Sequence, residues 1–176
     1  MKTEQSGFLL GIGSNINPDE NFKQIIVLLL NSFPSLSLSR VLRIPPIGMN
    51  SHRDFLNTVV FIETSQSEQD LKAICNAIEI KLGRDRNDPA RKMKDRPADL
   101  DILTHISFPD DKQREPADIT DEYFIYPLLE ELFAFLTGSD QPAQQPGVSL
   151  STEGLTFGQT ATTIHRHAGT SNERVS

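Results

Sequence analysis

An α+β fold is predicted from three observations. Apolar runs of strand length stand at Gly7–Gly13, Asp54–Thr64 and Ala98–Leu103. Two amphipathic stripes with helical spacing lie between them, around Phe22–Leu30 and Leu71–Leu82. The patterns follow one another as strand, helix, strand, strand, helix, strand, and 176 residues suit a single domain.

The first run, GFLLGIG, reads as a buried strand that ends in a turn at Gly13-Ser14-Asn15. The turn lacks the glycine and lysine spacing of a phosphate-binding loop, so it is read as a tight strand–helix connection. Asn17 is the expected N-cap, Pro18 suits the first helical position, and Asp19 and Glu20 complement the positive helix end. Phe22, Ile25, Ile26, Leu29 and Leu30 form the buried stripe, and Phe33-Pro34 ends the helix. Leu36 to Ile44 reads as a second strand, followed by a Pro45–Ser51 loop.

The β-rich Asp54–Thr64 run is a central strand carrying Asn57. An amide in such a place must find partners. Facing a loop and reading the edge of a heterocycle are equally open from the residues alone. Ser67 with Asp70 caps the second helix, whose stripe is Leu71, Ile74, Cys75, Ile78 and Leu82, and Gly83 stops it. Cys75, the only cysteine, is expected as a small buried hydrophobe. Glu79 lies off the stripe and is expected to meet either ligand or water. The element order is βαββαβ, a ferredoxin-like antiparallel sheet with helices packed on it. A third helix is expected after Pro127, with Leu128, Leu129, Leu132, Phe133 and Leu136 apolar. The domain is drawn over residues 1–136. Residues 137–176 read as a polar, weakly ordered tail with room for one small element at Gly154–Phe157 and Ile164, and its removal after Gly138 would leave the melting temperature nearly unchanged.

The chemistry is expected at Lys94–Leu103. Strand alternation puts Ala98, Leu100 and Ile102 on one face and Asp99 and Asp101 on the other. Two adjacent carboxylates suit Mg²⁺, which completes its shell with water and phosphate oxygens. From Lys81 to Arg96 there are seven Lys or Arg against three Asp, a local charge of +4 in a chain of −7. Guanidinium and ammonium groups beside a carboxylate pair match a metal-polyphosphate ligand. The acidic balance argues against a general nucleic-acid binder, and an RNA-recognition module would need aromatic pairs on the sheet. No apolar run reaches about 18 residues and the first residues carry no signal-peptide core. A cytoplasmic monomer with no nucleic-acid or membrane partner is expected.

In order along the chain, Gly11–Asn15, Pro45–Gly48, Phe55-Leu56-Asn57, Ile78-Glu79, Gly83–Arg86 and Arg96–Ile102 resemble the 6-hydroxymethyl-7,8-dihydropterin pyrophosphokinase family. Tyr126–Glu131 is a further partial match. The resemblance implies transfer of pyrophosphate from ATP to a pterin hydroxymethyl group in folate biosynthesis, with two Mg²⁺ ions. It implies that Asp99 and Asp101 hold the metals and that Arg84, Arg86 and Arg96 contact phosphates, these five being the catalytic set. Glu79, Arg91, Lys92 and Ile102 join the arginines around the nucleotide. Phe55 would stack on the pterin, Asn57 would read its amide edge, Ile44, Pro45 and Ile47 would form the other wall, and Tyr123 would be a second stacking aromatic. Three departures stand out. Met93 replaces the family's tryptophan, Glu115–Asp118 replaces its Pro-His motif, and Asp121 stands where an Arg is expected. Lys112 or Arg114 would be the compensating cations. The alternative is a degenerate or paralogous protein that binds pterin or nucleotide with weak turnover, or that takes a modified pterin.

Overall fold

The computed structural model describes residues 4–45, 53–83, 96–140, 145–152, 154–166 and 174–175. Strand β1 (Gln5–Ser14) is followed by helix α1 (Pro18–Ser32), β2 (Ser35–Leu38), β3 (Leu42–Ile44), β4 (Phe55–Glu63), α2 (Glu68–Lys81) and β5 (Asp99–Phe108). Two 3₁₀ turns, Pro116–Asp118 and Tyr123–Ile125, lead into α3 (Tyr126–Thr137). Short strands β6 (Leu150–Thr152), β7 (Leu155–Phe157), β8 (Thr162–His165) and β9 (Arg174–Val175) follow. The main sheet has the order β5-β1-β4-β2-β8-β9, with β3 also paired to β4. Its β5-β1-β4-β2 part is antiparallel throughout and is the predicted βαββαβ arrangement.

Alternation along β1 divides the core into two layers. Phe8, Leu10 and Ile12 pack with the α1 stripe, Leu71, Cys75 and Ile78 of α2, and Leu100 of β5. Leu9 points the other way, to Val59, Phe61, Ile106, Phe108 and the apolar side of α3. The sheet is thus covered on both faces, which explains why β1 reads as a continuous apolar run. Ser67 caps α2 by accepting the Asp70 amide hydrogen at 3.1 Å. Asn17 occupies the N-cap of α1 but makes no side-chain cap bond. It adopts a left-handed conformation (φ 42°), which Asn tolerates better than most residues.

Two expectations are corrected. The Leu36–Ile44 strand is two strands, because the Ser39 hydroxyl takes the Val59 amide at 3.1 Å and Val41 leaves the sheet. The Val41 amide donates to the Gly158 carbonyl, and the Val41 carbonyl accepts from Val148, each at 2.8 Å. Second, the chain beyond residue 144 is not a loose polar tail over its described residues. Strand β8 extends the sheet beside β2, and Leu150, Leu155, Phe157 and Ile164 are at most 3% exposed. They are few among polar neighbours, but they all join the α1–α2 core. Strand β5 keeps the expected alternation through Ile102 and then breaks it. A bulge at Leu103 places two residues opposite one, so Leu9 faces Thr104 while Leu10 faces Ile102. Beyond it the parity flips, and Ile106 and Phe108 join the α3 layer. His105 meets Phe8 edge-on at 5.1 Å.

Candidate active site

Two glycines form the floor of the site. In the sheet Gly13 lies between Asn57 of β4 and Asp99 of β5, and Gly11 between Val59 and Asp101. A Cβ at Gly13 would stand 3.0 Å from Asn57 Oδ1 and 3.4 Å from the Phe55 ring. Both side chains therefore lean over the bare backbone of β1. The carboxylate strand is the next neighbour on the other side, two strand spacings or roughly 10 Å from β4. A planar ligand over the glycines would have Phe55 and Asn57 at one edge and Asp99 and Asp101 at the other. Ile44 pairs with Phe55 and is 9% exposed, so it stands beside the ring as an apolar wall. Pro45 continues it and is exposed.

The carboxylates are held differently. Asp99 is half-buried and receives Arg96 Nη1 at 3.0 Å, whereas Asp101 is exposed. Arg96 is itself clasped. Its amide donates to Asn15 Oδ1 at 2.6 Å, and the Asn15 amide donates to the Arg96 carbonyl at 2.9 Å. Asn15 is 2% exposed. The Gly-Ser-Asn turn is thus more than a connection, since it anchors the C-terminal end of the basic segment beside the carboxylates. The signal for this was an Asn directly after a tight glycine turn. Glu79 is fully buried and accepts the Leu100 amide hydrogen at 2.8 Å. It ties α2 to the backbone between the two aspartates. Ile102 packs on the helix layer, opposite the carboxylate face.

Glu122 was not anticipated from the sequence. Burial and then the Asp99 carboxylate push its carboxyl up from the ordinary value, against the lowering pull of Arg96. It therefore adds acid where a cation was expected. Tyr123, beside it, is 64% exposed at the rim and meets Phe124 edge-on at 5.9 Å. The compensating cations are elsewhere. Arg114 donates to the His105 carbonyl at 3.2 Å and to Thr104 Oγ1 at 3.3 Å, and Lys112 lines a small cavity with Phe108 and Leu136. Ile47, Arg84, Arg86, Arg91 and Lys92 lie outside the described residues.

The donor set fits Mg²⁺. Among the described residues no cluster of three or more metal-binding side chains occurs. A pair of carboxylates with the remaining positions left to water and phosphate is the usual Mg²⁺ arrangement. Excess negative charge around Asp99 would be relieved by such an ion. Among the described residues no helix is long and apolar enough to cross a membrane.

The model of the 7,8-dihydro-6-hydroxymethylpterin-pyrophosphokinase family matches residues 9–130. A 2-amino-4-hydroxy-6-hydroxymethyldihydropteridine pyrophosphokinase of Porphyromonas gingivalis is 34% identical over 102 residues, covering 57% of this chain and 69% of the relative. The Bacillus subtilis enzyme of that name is 34% identical over 97 residues, 53% of this chain and 56% of its own. That of Methylorubrum extorquens is 31% identical over 121 residues, 67% and 69% respectively.

Proposed function

The chain belongs to the 7,8-dihydro-6-hydroxymethylpterin-pyrophosphokinase family, and we propose that it transfers pyrophosphate from ATP to 6-hydroxymethyl-7,8-dihydropterin, a step of folate biosynthesis. The observation that carries the reading is the row Asn57–Gly13–Asp99, a polar edge reader, a bare floor and a carboxylate on three adjacent strands. The pterin lies over Gly13. The Phe55 ring covers one of its faces, and the Asn57 amide pairs with its amide edge. Its hydroxymethyl oxygen points toward Asp99 and Asp101. That oxygen attacks the β-phosphorus of ATP, the bond to the α-phosphate oxygen breaks, and AMP leaves; the hydroxyl proton is lost. Asp99 and Asp101 hold Mg²⁺, two ions by the family resemblance, and the metal neutralises phosphate charge when bound. Arg96, fixed by Asn15, supplies positive charge on the same side. Arg84, Arg86, Arg91 and Lys92 supply the rest from the basic segment. Pterin-dependent release of AMP from ATP tests the reading, and ATP left intact in the presence of pterin and Mg²⁺ would overturn it.

Losing a polar contact to a buried heterocycle costs about 1–3 kcal/mol, so Asn57→Ala is expected to weaken pterin binding tenfold or more with ATP binding little changed. Titration of each ligand by calorimetry checks this. Gly13→Ala adds one methyl against Asn57 Oδ1. It is expected to weaken pterin binding by about tenfold while the melting temperature falls only a few degrees, because the clash lies with a side chain the ligand needs aligned. Equal pterin affinity in parent and variant would show that the floor is not the ligand's seat.

A second reading, binding of both ligands with weak turnover, is favoured by one observation. The charges acting on Glu122 are those of Asp99 and Arg96, while Arg114 is engaged at Thr104 and the His105 carbonyl and Lys112 lines the cavity beside Phe108 and Leu136. Tight pterin and ATP binding without AMP release is the result that selects it.

A further inference from the structure

A buried ion pair links the last helix to the sheet behind the pterin wall. Arg40 is 8% exposed and Glu131 of α3 is 5% exposed. Glu131 Oε1 lies 3.5 Å from Arg40 Nη1, yet Arg40 Nε and Nη1 make no hydrogen bond. A charge pair buried with such incomplete pairing is a poor source of stability. The carboxylate is used on backbone instead. Oε1 accepts the Arg40 amide hydrogen at 3.2 Å, and Oε2 accepts that of Ala161 at 3.1 Å. Two chain segments far apart in sequence are thereby joined by one side chain. The first is the break between β2 and β3, where Thr58 Oγ1 also donates to the Ser39 and Arg40 carbonyls. The second is the entry to β8. Two residues beyond Arg40, β3 begins; Leu42 pairs with Asn57 and Ile44 with Phe55.

We propose that Glu131 is a positioning residue for the pterin side of the site, acting through the backbone at Arg40 and Ala161 to hold β3 in register against Asn57 and Phe55. The proposal rests on the reading of Phe55 and Asn57 as the pterin site. It also makes the C-terminal strands a working part of that site. A shift of β3 moves the Ile44 wall and the Asn57 amide but leaves Asp99 and Asp101, three strands away on β5, in place.

The test compares the parent with Arg40→Met/Glu131→Leu, Glu131→Gln and Phe55→Ala in full-length protein. The double variant replaces the ion pair by apolar side chains and removes the acceptors for both amides, so it leaves no charge unpaired but exposes the two backbone donors to the loss of their partner. Its KM for 6-hydroxymethyl-7,8-dihydropterin should rise about tenfold, with the KM for ATP and the kcat at saturating pterin held. Glu131→Gln retains one acceptor oxygen and should give a smaller rise of the same kind. A double variant that melts like the parent with unchanged pterin KM overturns the proposal. If the double variant does not fold, an unchanged pterin KM in Glu131→Gln overturns it, and so does an equal rise in both KM values. Phe55→Ala separates the two levels. Should it leave the pterin KM unchanged, the site reading itself fails. Should it raise that KM while the Glu131 variants do not, only the positioning role fails.

Discussion

Asp101→Ala is expected to lower Mg-dependent AMP release by on the order of a hundredfold or more while leaving the fold intact. Asp101 is exposed and stands opposite Gly11, so shortening it opens no cavity in the core. Its neighbour cannot take over. Asp99 already receives Arg96 at 3.0 Å, and Glu122 nearby holds its proton more tightly than an ordinary carboxyl because of burial and Asp99 itself. Phosphoryl-type transfer depends chiefly on placing positive charge around the moving group, so the loss falls on turnover and on metal-linked nucleotide binding together. Calorimetric titration with ATP in the presence and absence of Mg²⁺ provides the independent readout. Mg-ATP binding equal to the parent's would show that the metal is held elsewhere.

Truncation after Gly138 is expected to abolish cooperative folding. Leu150, Leu155, Phe157 and Ile164 are buried in the core that α1 and α2 share with the sheet. Each such side chain contributes about 1.5–3 kcal/mol by burial, so the four together are worth roughly 6–12 kcal/mol. Total stabilities of domains are about 5–15 kcal/mol. The truncation also bares the β2 edge that pairs with β8 and removes the Gly158 and Val148 partners of Val41. Thermal melting followed by circular dichroism decides the matter. A truncated chain that melts cooperatively within a few degrees of the parent would mean that the C-terminal strands are ornament.

What the sequence by itself determined lies where the signal is local. The α1 and α2 stripes, the Ser67 cap, the glycine stop at Gly83 and the common face of Asp99 and Asp101 are set by spacings of two to four residues, and the structure has them all. The βαββαβ order followed from them because few topologies accommodate it. Phe55 and Asn57 were likewise legible as a pair on one strand face, and the structure brings them over Gly13. Tertiary structure alone decided the rest. At β8 the sequence marked only Ile164, because Thr162-Thr163-Ile164-His165 carries one strong apolar residue; the partner edge of β2 makes it a strand. The Leu103 bulge has no local marker, yet it turns His105 away from the carboxylates. Glu79 read as an off-stripe acid open to ligand or water, and only the fold shows β5 covering it and supplying the Leu100 amide. Asn15 meets Arg96, and Glu122 comes close to Asp99, across long stretches of chain. Periodicity reports which face a residue takes, whereas the partner on that face is chosen by contacts between segments distant in sequence.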